Sequence, residues 1–181
     1  MSISDSRPAR VAIVGSTASG KSDVALAVAR RLGDVELVSV DSMQVYRGMD
    51  IGTAKPTGEE RAEVRHHCID LVEPNAEFTV GDFQPAYRHA IDQIAGRGHR
   101  ALLVGGTGLY HRVVIDDFDL PGEFPEVRAM LDEEPDTALL HARLADLDPP
   151  AADKMEPGNR RRVLRALEVC VGSGRPFSSF G

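Results

Sequence analysis

The chain has 181 residues and a formal net charge of −7, and 42% of its residues are hydrophobic, which predicts one folded domain with room for a small insertion. The acidic balance disfavours a protein that binds nucleic acid over its whole surface, although it is compatible with a local basic patch. No stretch approaches the about 20 apolar residues of a membrane span, and Cys68 and Cys170 form no CxxC pair, so we expect a cytoplasmic protein that has buried free cysteines and binds no membrane.

The chain starts with the pattern of a β-α-β unit. Residues 10–14 (RVAIV) and 36–40 (ELVSV) are short apolar runs typical of buried strands, and residues 21–32 between them have helical periodicity. The predicted buried face of this helix holds Val24, Ala25, Val28 and Leu32. Two strands joined by a helix predict a parallel sheet, and we expect the second strand to lie beside the first.

An eight-residue segment between the first strand and the helix matches the phosphate-binding pattern GxxxxGK[ST]. Its residues are Gly15, Ser16, Thr17, Ala18, Ser19, Gly20, Lys21 and Ser22. Its backbone N–H groups and the helix N-terminus favour an anion, and Lys21 adds a full positive charge. Because the Ser22 hydroxyl can bind Mg²⁺, the segment predicts a di- or triphosphate site with Mg²⁺ as cofactor.

The rest of the first half alternates between irregular and regular structure. Residues 41–73 show no periodicity and predict a long functional loop. A helix is expected over 79–95, where a threonine and an aspartate three residues apart match an N-terminal capping pattern. A third strand at 101–104 (ALLV) and a short helix at 109–115 follow.

Three segments summarise the predicted domain organisation. Residues 1–115 form an α/β core, in which helices flank a parallel sheet of the P-loop type. Residues 116–158 form a small helical insertion whose helices are broken by prolines. Residues 159–181 contain a basic amphipathic helix that returns toward the core.

The position of one acidic residue separates this chain from common P-loop enzymes. Transfer of a γ-phosphate requires a metal-binding acid on a later strand, but the third predicted strand runs into Gly105 and Gly106. Asp41 instead follows the second strand, and we expect it to face the phosphate site from a strand beside the P-loop strand. Its carboxylate could act as a general base, bind a metal ion or cap a helix.

Four ordered segments resemble the tRNA dimethylallyltransferase family. The P-loop GSTASGKS is similar to the family's GPTASGKS or GPTASGKT, with Ser16 in place of the proline. The other three segments are SVDSMQVYRGMDIGTAKP at 39–56, VGGTGLY at 104–110 and RRVLRALEV at 161–169, and HCIDLVEP at 67–74 also fits. Members of this family typically continue for another hundred residues or more, so the sequence is expected to lack the C-terminal third, and the activity of the chain alone stays open.

The resemblance implies a reaction and its participants. A dimethylallyl group moves from dimethylallyl diphosphate to N6 of the adenosine that follows the anticodon of tRNA, and diphosphate is released. The catalytic residues implied are Asp41 as the general base, with Thr17 and Lys21 at the diphosphate. The partners are the donor and the anticodon stem-loop, and a monomer is expected.

The resemblance also assigns residues to the tRNA. They are Asp41, Ser42, Met43, Gln44, Thr107, Arg128, Arg161, Arg162, Val163, Leu164 and Arg165. Simpler interpretations remain open, because Thr107 could cap the next helix and the arginines could form a solvated face. His66 and His67 are expected to form hydrogen bonds in the loop rather than to bind a metal.

Other functions are compatible with the same P-loop. A transferase that acts on free adenine nucleotides shares the P-loop and the acid but needs no tRNA-binding insertion. A small-molecule kinase would transfer the γ-phosphate of ATP, and a binding protein without catalytic activity would show neither reaction.

Overall fold

The computed structural model describes residues 11–16, 18–115 and 119–180. The chain divides into two compact units, residues 1–117 and residues 118–181. Each unit is described by itself. In the part of the chain covered by these ranges, none of the helices has both the length and the hydrophobicity that a membrane crossing requires.

The first unit alternates strands and helices. Its elements are β1 (Val11–Val14), α1 (Lys21–Leu32), β2 (Val35–Ser39), α2 (Gly58–Glu63), β3 (His66–His67), α3 (Val80–Gly96), β4 (Arg100–Gly105) and α4 (Gly108–Ile115). The predicted strands and helices are all present. Two elements, α2 and β3, lie within residues 41–73, where the lack of periodicity predicts a long loop.

The four strands form one parallel sheet in the order β1-β4-β2-β3. This confirms the predicted α/β class, but the expected position of β2 beside β1 is wrong. β4 lies between them, with Leu102 paired to Val11 on one side and to Leu37 on the other. The connection through α1 therefore skips one position, which the last strand of the unit fills.

Local sequence signals define the ends of two helices. α1 begins after Gly20 and ends before Gly33, and both glycines have the positive φ that other residues rarely adopt. α3 begins with a complete capping box, in which the Thr79 hydroxyl accepts from the Asp82 amide and the Asp82 carboxylate accepts from the Thr79 amide. Both helices have the bounds that their flanking residues predict.

The buried face of α1 differs from the prediction. Ala25, Leu26 and Ala29 pack against the sheet, whereas Val24 is 54% and Leu32 is 49% exposed. The predicted set included both exposed residues and omitted Leu26 and Ala29. The buried positions follow an i, i+1, i+4 pattern that is equally helical, and only the orientation of the helix against the sheet selects between the two faces.

The second unit is a helical cluster. Its elements are α5 (Pro125–Asp132), α6 (Thr137–Leu147), α7 (Pro149–Ala152), α8 (Arg160–Ser173) and a final 3-10 turn (Phe177–Ser179). Val163, Leu164 and Leu167 of α8 are buried against residues of α5 and α6. The predicted segments 116–158 and 159–181 are thus joined in one unit, and the return of the basic helix toward the core stays a prediction.

A buried carboxylate near the start of β2 connects this strand to β3 and to the residue that follows α3. Glu36 is 2% exposed, and its oxygens accept from Arg97 Nε and Nη2 at 2.8 and 2.7 Å and lie 2.6 Å from His67 Nε2. The Arg97 hydrogen bonds hold the pKa of Glu36 at about 2, although burial raises it. His67 therefore has a structural role in β3, as a hydrogen-bonding residue.

We expect Glu36→Gln to lower the free energy of unfolding by about 3 kcal/mol, because it leaves Arg97 facing an uncharged amide. The folded-state pKa lies below the ordinary value of 4.5, so this stabilisation is complete above about pH 4.5 and is lost as the pH falls toward 2. Urea unfolding at pH 7 and pH 3 measures both effects. Asp34→Asn, which breaks the exposed pair with Arg100, is the control, and an equal loss in both variants would contradict the assignment.

Candidate active site

A cavity of about 270 Å³ opens at the carboxyl end of the sheet. Its wall is formed by the start of α1, by residues after β2 and by the end of β4. The residues that matter for chemistry are Ser19, Lys21, Ser22, Asp41, Gln44, Lys55 and Gly105. The P-loop and Asp41, which the sequence placed at the same edge of the sheet, therefore share one cavity.

The P-loop presents an open helix N-terminus to this cavity. Ala18 and Gly20 have φ values of 62° and 77°, which turn the backbone before α1. Helices α2 and α3 are capped by threonine side chains, whereas in the described residues no side chain caps α1. The first N–H groups of α1 are thus left for a bound anion. The predicted catalytic Thr17 lies outside the described residues.

Lys21 and Ser22 place a charge and a hydroxyl beside these amides. Lys21 Nζ donates to the backbone oxygen of Ser16 at 3.0 Å, which folds the ammonium group over the loop. Ser22 is exposed on the first turn of α1 and lines the cavity. Both residues line the cavity, and their contact with a phosphate chain stays a prediction.

Two glycines allow the strand ends to meet behind the cavity. A Cβ atom on Gly105 would lie 2.0 Å from the backbone oxygen of Val40, and one on Gly106 would lie 2.9 Å from that of Gly15. No side chain fits at these positions, which explains why β4 ends without an acid. The acidic residue is supplied by Asp41, two strands away from the P-loop strand rather than one.

Asp41 is oriented by the backbone that follows it. Its Oδ1 accepts from the amide of Met43 at 2.8 Å and more weakly from that of Gln44 at 3.4 Å. These contacts form a turn stabilised by the aspartate, and no described helix starts there, so the N-cap interpretation is wrong. One carboxylate oxygen is used to hold the residue against the cavity wall.

The predicted tRNA-binding stretch 41–44 splits into accessible and inaccessible side chains. Met43 is 44% exposed, whereas Gln44 is 9% exposed. Gln44 accepts from the Ser39 hydroxyl at 2.8 Å and donates to the backbone oxygens of Thr53 and Ala54 at 2.9 and 3.1 Å. The Gln44 side chain therefore connects β2 to the following loop. Its assignment to tRNA is corrected, because its amide group binds protein partners.

Thr107 links two loops at the cavity. Its hydroxyl accepts from the Ser42 amide at 3.3 Å, and its backbone oxygen accepts the first hydrogen bond of α4, from His111. The hydroxyl is thus used between loops instead of capping the helix. Thr107 and Ser42 are only partly exposed, and their contact ties the segment after β2 to the segment after β4.

Lys55 belongs to the segment 39–56 that resembles the family, but no sequence signal predicts a role for it. Its side chain is fully buried, and Nζ donates to the Tyr46 backbone oxygen and to Asp70 Oδ1 at 2.6 and 2.7 Å, and lies 3.0 Å from Asp50 Oδ1. Burial lowers the pKa of Lys55, but the hydrogen bonds to Asp70 and Asp50 outweigh it and raise the pKa overall. A buried lysine is rare without such partners. The sequence does not predict the burial of Lys55, because Asp70 lies fifteen residues further along the chain.

The arginines assigned to tRNA belong to the second unit and differ in availability. Arg165 donates to Glu168 Oε1 at 2.7 Å and to the Pro121 backbone oxygen at 3.0 Å. Arg128 lies 3.7 Å from Asp132 and 3.8 Å from Glu168. These two guanidinium groups are therefore partly used within the unit.

The four other assignments on α8 have different outcomes. Arg161 and Arg162 are exposed, and within residues 119–180 no carboxylate lies at ion-pair distance from either. Val163 and Leu164 are 0% and 1% exposed. Their assignment to tRNA is corrected, because both side chains fill the core of the second unit.

The contacts and burial of the two cysteines and of His66 indicate structural roles. Cys68 and Cys170 are buried and free, as predicted, and burial raises the pKa of Cys68 to about 12, so its thiol is a poor nucleophile. His66 Nδ1 lies 2.8 Å from the Val64 backbone oxygen. Among the side chains that the structure describes, no three His, Cys, Asp or Glu residues are grouped as a metal site would require.

Comparisons with known proteins give consistent relatives. A family model described as IPP transferase matches residues 44–181. The tRNA dimethylallyltransferase of Bifidobacterium animalis subsp. lactis is 48% identical over 176 residues, which cover 93% of this chain and 51% of that protein. The protein of the same name from Streptomyces coelicolor is 47% identical over 182 residues, which cover 99% of this chain and 58% of that protein.

Two solved structures share the fold. The tRNA isopentenylpyrophosphate transferase from Bacillus halodurans is 46% identical with a TM-score of 0.59, over 92% of this chain and 56% of that one. A eukaryotic dimethylallyltransferase acting on tRNA is 30% identical with a TM-score of 0.80, over 94% and 43% of the two chains. The chain thus spans about half the length of the relatives that it matches.

We expect Gly105→Ala to lower the free energy of unfolding by about 3 kcal/mol, because the new methyl group would overlap the Val40 backbone. Diphosphate affinity should fall with it, since the strand ends behind the P-loop must separate. Thermal unfolding and calorimetric titration with pyrophosphate measure the two effects. Gly96→Ala is the matched control, because no atom lies within 4 Å of its added Cβ, and a Gly105→Ala protein as stable as this control would contradict the packing argument.

Proposed function

The chain belongs to the IPP transferase family, and from this membership and the shared cavity we propose that it carries the donor-binding and acceptor-activating part of a tRNA dimethylallyltransferase. The observation that supports the proposal most directly is the position of Asp41 on the wall that also holds the P-loop. One cavity then brings together the two groups that the reaction needs, an anion site and a base.

The donor side of the reaction depends on the P-loop. The bond between the allylic carbon of dimethylallyl diphosphate and its bridging oxygen breaks, and the electron pair leaves with diphosphate. The N–H groups at the start of α1 and the Lys21 ammonium group stabilise the charge that develops on the leaving oxygens. These donors are in place before the reaction, because the glycine-containing loop and the first turn of α1 fix the backbone. No described side chain caps the N–H groups at the start of α1.

The acceptor side depends on Asp41. The exocyclic N6 of adenosine forms the new bond to the allylic carbon, and its proton passes to the carboxylate. The backbone amides of Met43 and Gln44 hold Oδ1, and we assign the proton transfer to Oδ2. Because the sheet places Asp41 two strands from the P-loop, the isoprenoid carbons would lie in front of β4.

The donor set of the cavity fits Mg²⁺. This ion prefers a few oxygen ligands from the protein together with water and phosphate oxygens, and Ser22, Asp23 and Asp41 supply a hydroxyl and carboxylates around the cavity. Ser22 would hold the ion near the diphosphate. When bound, the ion would offset negative charge on the leaving group.

The second unit contributes the exposed charge that an RNA backbone requires. Arg161 and Arg162 project from the start of α8, where Asn159 caps the helix by accepting from the Arg162 amide. A free adenine nucleotide offers no extended backbone to such a pair, so the arginines favour tRNA over the nucleotide as acceptor. A tRNA substrate also implies a cytoplasmic site of action.

We expect Asp41→Asn to reduce transfer of labelled dimethylallyl groups to unmodified tRNA by about 10² to 10⁴-fold, because the amide cannot accept the proton. Donor binding should remain, whereas Lys21→Ala should weaken it. Asp92→Asn, on the exposed surface of α3, is the matched control. Transfer by Asp41→Asn at the rate of this control, or AMP modified in preference to tRNA, would contradict the proposal.

We expect the double variant Arg161→Ala, Arg162→Ala to bind an anticodon stem-loop RNA more weakly and to reduce the salt dependence of binding by about two counterions. Its stability should not change, because both side chains are exposed. Arg165→Ala should instead destabilise the second unit, since it removes the hydrogen bonds to Glu168 Oε1 and to the Pro121 backbone oxygen. Fluorescence anisotropy over a series of salt concentrations measures the difference, and an unchanged slope in the double variant would rule out the phosphate contact.

A further inference from the structure

One tyrosine in the core of the first unit keeps its hydroxyl group available. Tyr110, in the first turn of α4, is 6% exposed. Its hydroxyl has no hydrogen-bond partner among the residues that the structure describes, and it is not one of the fully buried polar atoms there that lack a partner. The O–H group therefore reaches the surface at the end of an otherwise buried side chain, where it can bind a ligand.

Packing holds the Tyr110 ring in place. Its centroid lies 4.6 Å from that of Phe83, near the start of α3. Both rings belong to the core cluster that contains Val40 and Val45. Val40 immediately precedes Asp41, and Val45 follows the turn that Asp41 stabilises. The tyrosine and the segment that carries the proposed base therefore share one rigid core.

The tyrosine ring and the P-loop cavity lie on opposite faces of the sheet. Neighbouring residues of a strand point to opposite faces. In β4, Leu103 belongs to the core cluster of Tyr110, whereas Leu102 belongs to the cluster of α1. Leu26, which lines the cavity, is in the cluster of α1. Since Asp41 follows the end of β2, a donor in the cavity and an acceptor on the tyrosine side would reach it from two directions.

A hydrogen bond between loops brings the start of α4 close to Asp41. The Thr107 hydroxyl accepts from the amide of Ser42, the residue after Asp41, and Tyr110 follows Thr107 by three residues. Burial raises the pKa of Tyr110, and the negative charges of Asp82 and Asp41 raise it further. The phenol therefore keeps its proton at neutral pH and is available as a hydrogen-bond donor.

We propose that the Tyr110 phenol donates a hydrogen bond to N1 of the target adenine while Asp41 faces the exocyclic amine. The inference rests on the proposed function. An enzyme that reacts with the amine of a base takes that base out of the stack and binds its Watson–Crick edge, where N1 lies beside N6. N1 of adenine carries no proton and accepts a hydrogen bond, whereas N1 of guanine carries a proton. A protonated phenol at this position therefore selects adenine over guanine as the acceptor.

The test compares Tyr110→Phe with the wild-type chain in the transfer of labelled dimethylallyl groups to three anticodon stem-loop RNAs. Their target nucleotides are adenosine, 1-deazaadenosine and 7-deazaadenosine. With adenosine and 7-deazaadenosine, the variant should lower kcat/KM about threefold to tenfold, because one hydrogen bond is lost. With 1-deazaadenosine, which lacks the acceptor atom, the variant and the wild-type chain should react equally fast. Pyrophosphate affinity should not change, since the P-loop cavity lies on the other face of the sheet.

Tyr87→Phe is the comparison variant, because it removes a hydroxyl from the same core cluster, one turn beyond Phe83 in α3. It should react with each RNA as the wild-type chain does. Four results would show that the phenol does not bind N1 while the proposed function stands: unchanged rates in Tyr110→Phe, an equal loss with all three RNAs, a loss that 7-deazaadenosine cancels instead, or weaker pyrophosphate binding. If the wild-type chain transfers no label to the adenosine RNA, the proposed function fails and this inference fails with it.

Discussion

The candidate site depends on how closely the backbone approaches itself at the carboxyl end of the sheet. Gly105 packs against Val40 and Gly106 against Gly15 at distances that exclude any side chain. Three strand ends can therefore converge behind one cavity, with the P-loop on one side and Asp41 on the other. The same contact removes the position where a γ-phosphate-transferring enzyme would carry its acid, so one steric constraint both builds the cavity and limits its chemistry.

Charges in the interior hold the loop that follows β2. Lys55, Asp50 and Asp70 form a compensated cluster, and Gln44 uses its whole amide group on protein partners. Lys55 and Gln44 are buried and the Asp50 side chain is 62% exposed, and together these groups hold the loop that follows Asp41. Buried polar networks of this kind stabilise one conformation because every alternative leaves a polar group without a partner.

Much of this arrangement could be predicted from local sequence. The bounds of α1 follow from two glycines, the start of α3 follows from a capping box, and the P-loop pattern predicts where the anion site lies. The order of the strands could not be predicted, because nothing local to β1 or β2 encodes that β4 fits between them. The roles of Lys55 and Gln44 were missed for the same reason, since their partners lie up to fifteen residues away. On α8, only the packed helix separates the buried Val163 from its exposed neighbour Arg162.

The central claim is that the P-loop holds a leaving diphosphate in the cavity that Asp41 lines. A crystal structure of the chain with dimethylallyl diphosphate would test it most directly. The account predicts the diphosphate on the backbone N–H groups of Gly15 to Ser22, with the allylic carbon directed toward Asp41. Diphosphate bound elsewhere, or an isoprenoid chain that points away from Asp41, would contradict the account.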